Sequence, residues 1–250
     1  MLAAPLLIQH SFSIHFPRVS TMRRNANMLE DALAQGCPNG YAAPQVLPIP
    51  EELGPDVPRI IFNSINGFSN IAVTQTAMAL TVSYSEDWQG DRAKCVSYLK
   101  RRAHVLFDMV GKLEVLPGFV GVGTRLRVMS DANDAVEVMA ALRRLVAPDL
   151  NLANASEIMV RFSNNINNIY FDNATVSNAV VWPDGIFASG RFPISSRLAV
   201  GLEILGDFNN RLAYNEDVSH IATLDAGLAM IDAGAGTVYG LAGRFGGDHA

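Results

Sequence analysis

Apolar residues along this chain recur first every second position and then at helical spacing, and the two periods follow one another in the same order twice. Residues 6 to 16 alternate, with Ile8, His10, Phe12, Ile14 and Phe16 on one face and Gln9, Ser11, Ser13 and His15 on the other. Period two with one apolar face is the pattern of a half-buried strand. From Met22 the spacing becomes helical through Ala26, Leu29 and Leu33, and Gly36 supplies a stop. Six prolines from Pro38 to Pro58 then exclude regular hydrogen-bonded structure, which makes residues 37–58 an ordered loop or arm. A meander follows. Strands are expected at Arg59 to Ile65, Asn70 to Thr76 and Ala77 to Tyr84, with Asn66 and Gly67 as a hairpin turn signal. Asp91 to Lys112 reads as the longest helix, its stripe formed by Val96, Leu99, Ala103, Leu106, Phe107 and Val110.

The order then restarts. Phe119 to Met129 predicts a strand, and Ser130 can cap a helix reaching about Val146. Strands follow at Glu157 to Ser163, Asn168 to Trp182, Arg197 to Leu205 and, as a short one, Arg211 to Tyr214. A last helix from about Asp217 carries Ile221, Leu224, Leu228 and Ile231, and a glycine-rich tail from Gly240 reads as loose. The fold class expected is α+β, in two similar halves, 1–114 and 115–250, each strand, helix, three or four antiparallel strands, helix. The repeat lies in element order, since the residues themselves do not repeat.

Composition narrows the partners. The chain has 49 % hydrophobic and 17 % charged residues, and its mean hydropathy is +0.17. Lone monomers seldom expose large apolar patches, so the balance favours a homo-oligomer or a protein partner. A net charge of −5 speaks against nucleic acid, because a domain without excess basic charge gains little from counterion release at phosphates. No stretch approaches a membrane span and no secretory signal is read at the start, which makes cytoplasm the expected location. Cys37, in the proline arm and open to exposure there, and Cys95 are too few for a disulfide framework or a four-cysteine zinc site.

The search for chemistry yields no catalytic set and no pattern that calls for a cofactor or metal. His10 falls on the apolar face of its strand and reads as a hydrogen-bonded core histidine. Cys95 and His104, nine apart on one helix, point to opposite sides. Gly118, Gly121 and Gly123 run into a strand, whereas a phosphate loop leads into a helix. Glu203 stands alone on its strand. The basic residues say more. Lysine occurs only at Lys94, Lys100 and Lys112, and the other 16 of the 19 basic residues are arginine. Arg125 and Arg127 share one strand face, opposite Val122, Leu126 and Val128, and Arg161 lies opposite Ile158, Val160 and Phe162. If the apolar faces turn inward, these arginines gather on the other face with His15, where their forks suit carboxylates or phosphates. Lys100 to Arg102 reads as a solvated face. The asparagines at 164, 165, 167 and 168 read as a turn tolerant of left-handed backbone.

Pro5 to Ile8, the proline-rich stretch, Pro58 to Phe62 ahead of the meander, and Tyr84 and Trp88 leading into the long helix resemble a family of sporadically distributed bacterial proteins of unknown function. That resemblance carries no activity with it, although sporadic distribution would suit a role in bacterial defence or phage biology. In topology, the element order resembles a duplicated helix-grip or TATA-binding-protein-like arrangement, in which sheets curl around long helices; topology alone confers no function. The leading expectation is a non-enzymatic, self-associating binding protein that uses its proline arm to reach a partner. A second class is a small-molecule or nucleotide binder or enzyme, an anionic ligand included, with a pocket between sheet and long helix walled by Tyr84, Trp88, Phe107, Arg125 and Arg127. Nucleic-acid binding on the arginine face is a third.

Overall fold

The computed structural model describes residues 1–146, 150–183, 185–186 and 190–245. Among them the chain is α+β, built on one antiparallel sheet of nine strands with its long helices packed on one side. In chain order the elements are β1 (Leu6–His15), α1 (Ala26–Gly36), β2 (Gln45–Val46), β3 (Ile60–Asn63), β4 (Ser69–Val73), β5 (Ala77–Ser83), α2 (Glu86–Gln89), α3 (Arg92–Lys112), β6 (Phe119–Met129), α4 (Ala135–Arg143), β7 (Met159–Ile166), β8 (Tyr170–Val181), β9 (Ala199–Asn209), α5 (Arg211–Glu216) and α6 (Leu224–Gly243). A 3₁₀ turn, Met22–Asn25, leads into α1.

Across the sheet the strands run β2-β3-β4-β5-β1-β6-β9-β8-β7. The two strands that open each run of elements, β1 and β6, therefore meet at the centre, with Phe12 beside Val122 and Ile14 beside Val120. Alternation decides which side is covered. In β6, Val120, Val122, Thr124, Leu126 and Val128 are buried while the residues between them are not. The apolar rows of β1, β5, β6 and β9 face α3 and α6, and α1 packs along α3 through Leu29, Ala32 and Leu33. Asp91 caps α3 by accepting from the Lys94 amide at 2.9 Å, and Thr223 caps α6 through the Ala226 amide at 3.2 Å. On the other side of the sheet, among the described residues, α5 lies at one end with Tyr214 and Arg211 against Phe119, and no helix covers the rows that hold Arg125, Arg127 and Arg161.

Several details depart from the sequence reading. Arg211 to Tyr214 is helical, as the first turn of α5, and α6 begins at Leu224, which leaves Ile221 exposed ahead of it. Gly240 to Gly243 belong to α6; the end of the expected loose tail, 246–250, lies outside the described residues. Ser130 does not cap α4. Asp134 does, accepting from the Val136 amide at 2.8 Å, while the Ser130 hydroxyl donates to Glu137. The proline arm is not wholly irregular, because Gln45 and Val46 pair with Ile61 and Ile60 and so form the sheet's edge. Asn167 and Asn168 adopt the left-handed conformation, with φ of 56° and 55°, as the turn between β7 and β8 requires.

At one point the sheet tolerates no side chain. A Cβ on Gly201 in β9 would lie 2.8 Å from the Cα of Met129 and closer still to the carbonyl oxygen of Val128, both of them backbone atoms of β6. We expect Gly201→Ala to lower unfolding stability by about 2 kcal/mol, since overpacking against backbone cannot relax by a rotamer change. Denaturant titration measures it, and a loss under about 0.5 kcal/mol, the size of an ordinary surface substitution, would show that the strands part easily there.

Candidate functional site

Pairing registers place the open-face residues in rows across the strands. One row runs Arg161, Thr175, Leu205, Arg125, Gln9, Ser83, and the next holds Ser177, Glu203 and Arg127. Arg125, Arg127, Arg161 and His15 therefore share one face, because all lie on the uncovered side of their strands. They do not converge. Arg161 is three strands from Arg125, about 14 Å at the usual strand spacing. His15 is opposite Phe119, six residues along β6 from Arg125, or about 20 Å.

Glu203 is not alone. One of its oxygens accepts from Arg125 Nε at 2.8 Å and Nη2 at 2.6 Å, and from Arg127 Nε at 3.2 Å. Two guanidinium groups around one carboxylate leave a single net positive charge, so the pair is largely committed within the sheet. Asp207, in the adjoining row, accepts from Asn173 at 3.1 Å and from Asn209. The face thus carries both signs among small and amide side chains, which does not suit a phosphate backbone. His15 stacks flat on Phe119 with ring centroids 4.0 Å apart. Burial lowers its pKa, the charge of Arg211 lowers it further, and Asp56 opposes them.

Tyr84 and Trp88 belong elsewhere. The Tyr84 hydroxyl donates to the Cys95 carbonyl at 3.1 Å and lies 3.0 Å from His10 Nδ1. With its one proton given to Cys95, that hydroxyl can only accept from histidine, which fixes His10 as the neutral Nδ1–H tautomer. Tyr84 thus ties β5 to β1 and α3. Trp88 lies nearly parallel to Tyr84 at 6.2 Å and meets Tyr98 of α3 edge-on at 5.7 Å. Together with Phe68, Asn66, Ser85 and Asp87 they line a cleft of about 370 Å³ between the β3–β4 turn and the start of α3. Phe107 packs instead on Phe12 in the core, and Arg125 and Arg127 lie on the open face. The expected pocket wall of Tyr84, Trp88, Phe107, Arg125 and Arg127 does not assemble, since these residues are divided between the two sides of the sheet.

Two further readings change. Cys37 is buried, its sulfur accepting from Arg102. Arg102 is not a solvated charge, as its guanidinium lies over Tyr98 at 4.9 Å and Tyr41 at 5.6 Å. Sequence reasoning also passed over Phe68, Asp87 and Tyr98. The hairpin signal at Asn66 and Gly67 and the candidates Tyr84 and Trp88 pointed near them, but their convergence depends on packing between segments about thirty residues apart. No group of three potential metal ligands forms among the described residues, and no helix there is long and apolar enough to cross a membrane. Neither the protein-family models nor the curated proteins contain a match to this chain.

Proposed function

We propose that the protein is a non-enzymatic binding protein that associates with a second copy of itself through the uncovered face of its sheet. The observation that carries this reading is the face itself: the helices bury one side of nine strands and, apart from α5 over Phe119 at one end, leave the other without cover among the described residues. At about 4.8 Å per strand the face is about 40 Å across. Its central strands are 10 to 11 residues long, so it offers on the order of 1,000 Å², against about 800 Å² buried per partner in stable complexes. Glycine, alanine, serine and threonine keep much of it low, and Leu205, 41 % exposed, stands near its middle between Thr175 and Arg125. The presence of Arg161 and the arginine pair beside Glu203 and Asp207 makes the face able to complement itself in a two-fold arrangement, in which each patch meets its own copy reversed.

Light scattering during size exclusion tests this. We expect a mass of twice the 27.0 kDa chain, and its return to the single-chain value in Leu205→Lys, which adds a cation to the middle of the row without touching the helical side. A wild-type protein that stays at one chain mass as concentration rises, or a Leu205→Lys variant that still pairs, would rule out this surface.

A further inference from the structure

The geometry points to the cleft at the start of α3 as a binding site for a small quaternary-ammonium compound. Four aromatic side chains and one carboxylate line it: Phe68 from the β3–β4 turn, Tyr84 after β5, Trp88 and Asp87 from α2, and Tyr98 from α3. Aromatic faces attract cations through the ring quadrupole, and several faces around one space favour a bulky, weakly hydrated cation. Trp88 already holds one. The Lys94 ammonium lies 3.9 Å from its ring centroid, so this indole already engages a cation, although Lys94 itself does not line the cleft.

The frame is held by hydrogen bonds. Asn66 Oδ1 accepts from the Phe68 amide at 3.2 Å and from the Ser64 hydroxyl at 2.8 Å, with Gly67 between them at φ 76°. That turn fixes Phe68, which remains 47 % exposed at the rim of the cleft. The Ser85 hydroxyl donates to one oxygen of Asp87 at 2.6 Å, which orients the carboxylate. Glu86 and Asp91 flank the same joint between α2 and α3, against Lys94 and Arg92. The cleft volume of about 370 Å³ lies within the range of small-molecule sites and suits a compact ligand. Ser83 alone both lines this cleft and belongs to a row of the open face; Phe68, Asp87, Trp88 and Tyr98 belong to none of those rows, so the site stands or falls independently of self-association.

Only Trp88 and Trp182 are tryptophans, so Trp182→Phe leaves the indole of the cleft as sole reporter. In that background, choline is titrated against 3,3-dimethylbutan-1-ol, its neutral counterpart of the same shape. We expect saturable quenching by choline and binding of the alcohol weaker by about tenfold or more, the share due to charge. Phe68→Ala and Asp87→Asn, both at exposed positions, should each weaken choline. Equal binding of choline and the alcohol, no saturable signal from choline, or unchanged choline binding in both Phe68→Ala and Asp87→Asn would overturn the assignment.

Discussion

Replacing Arg59 by methionine should cost the fold about 3 to 5 kcal/mol, the loss expected when one partner of a buried charge network is removed. Arg59 is fully buried and is among the largest side chains so placed. Its guanidinium donates to the carbonyls of Val57 at 2.7 Å, Leu53 at 2.9 Å and Pro50 at 3.1 Å, and its Nε lies 3.5 Å from a Glu51 oxygen. Glu51 in turn accepts from Arg23 at 2.9 Å and Gln75 at 2.7 Å. One side chain just ahead of β3 therefore gathers the proline arm, whose own backbone makes only a few short-range hydrogen bonds. Methionine would keep most of the volume and leave those carbonyls without a donor. Denaturant titration reads the stability, and limited proteolysis reads the arm: cleavage near Leu53 should accelerate in the variant. An unchanged midpoint would mean that the arm is held by something other than this network.

Acid should weaken the fold through His10. Its ring is fully buried on the core face of β1, and burial lowers its pKa from 6.5 to about 4. The unfolded chain protonates that imidazole near pH 6.5 and the folded chain only near 4, so between those values the unfolded state binds more protons. Stability then falls as the pH is lowered through that window, by about 3 kcal/mol in all. His15, also lowered, adds a slope of the same sign. Glu51 acts further down. Burial would raise its pKa, but hydrogen bonds from Arg23 and Gln75 and the charges of Arg23 and Arg59 hold it below 4.5, and what it contributes is lost only as the pH falls beneath that value. Unfolding free energies measured from pH 7 to 4.5 should show most of the slope disappear in His10→Gln. A slope shared equally by wild type and variant would place its origin in other groups.

What could be read from the sequence was local and periodic. β6 was legible at its full length because alternation continues unbroken from Phe119 to Met129, and α3 because a long stripe follows an acidic cap at Asp91. The α+β class followed from these. Arg211 to Tyr214 misled because four residues cannot distinguish a strand from a single helical turn, and α5 ends only at Glu216. Ser130 misled because two residue types that cap helices, serine and aspartate, lie four positions apart, and only backbone geometry selects Asp134. The face shared by Arg125, Arg127 and Arg161 was visible from alternation. Their separation was not, nor was the clasp on Glu203, since strand order and register set both and β6 and β9 are almost eighty residues apart. Arg59 was hidden for a related reason. A charged residue beside Ile60 reads as solvent-facing until the carbonyls of a distant loop are folded over it.

The meeting of β1 and β6 at the centre of the sheet has a consequence for how the chain leaves the ribosome. His10 lies beside Thr124, so the first strand made must wait for more than a hundred further residues before its second neighbour exists. At about 5 to 20 residues per second this interval is on the order of 10 s. During it, what will become the middle of the finished sheet is instead a bare border with open amides and carbonyls, and it is then that a nascent chain is most exposed to joining the wrong strand.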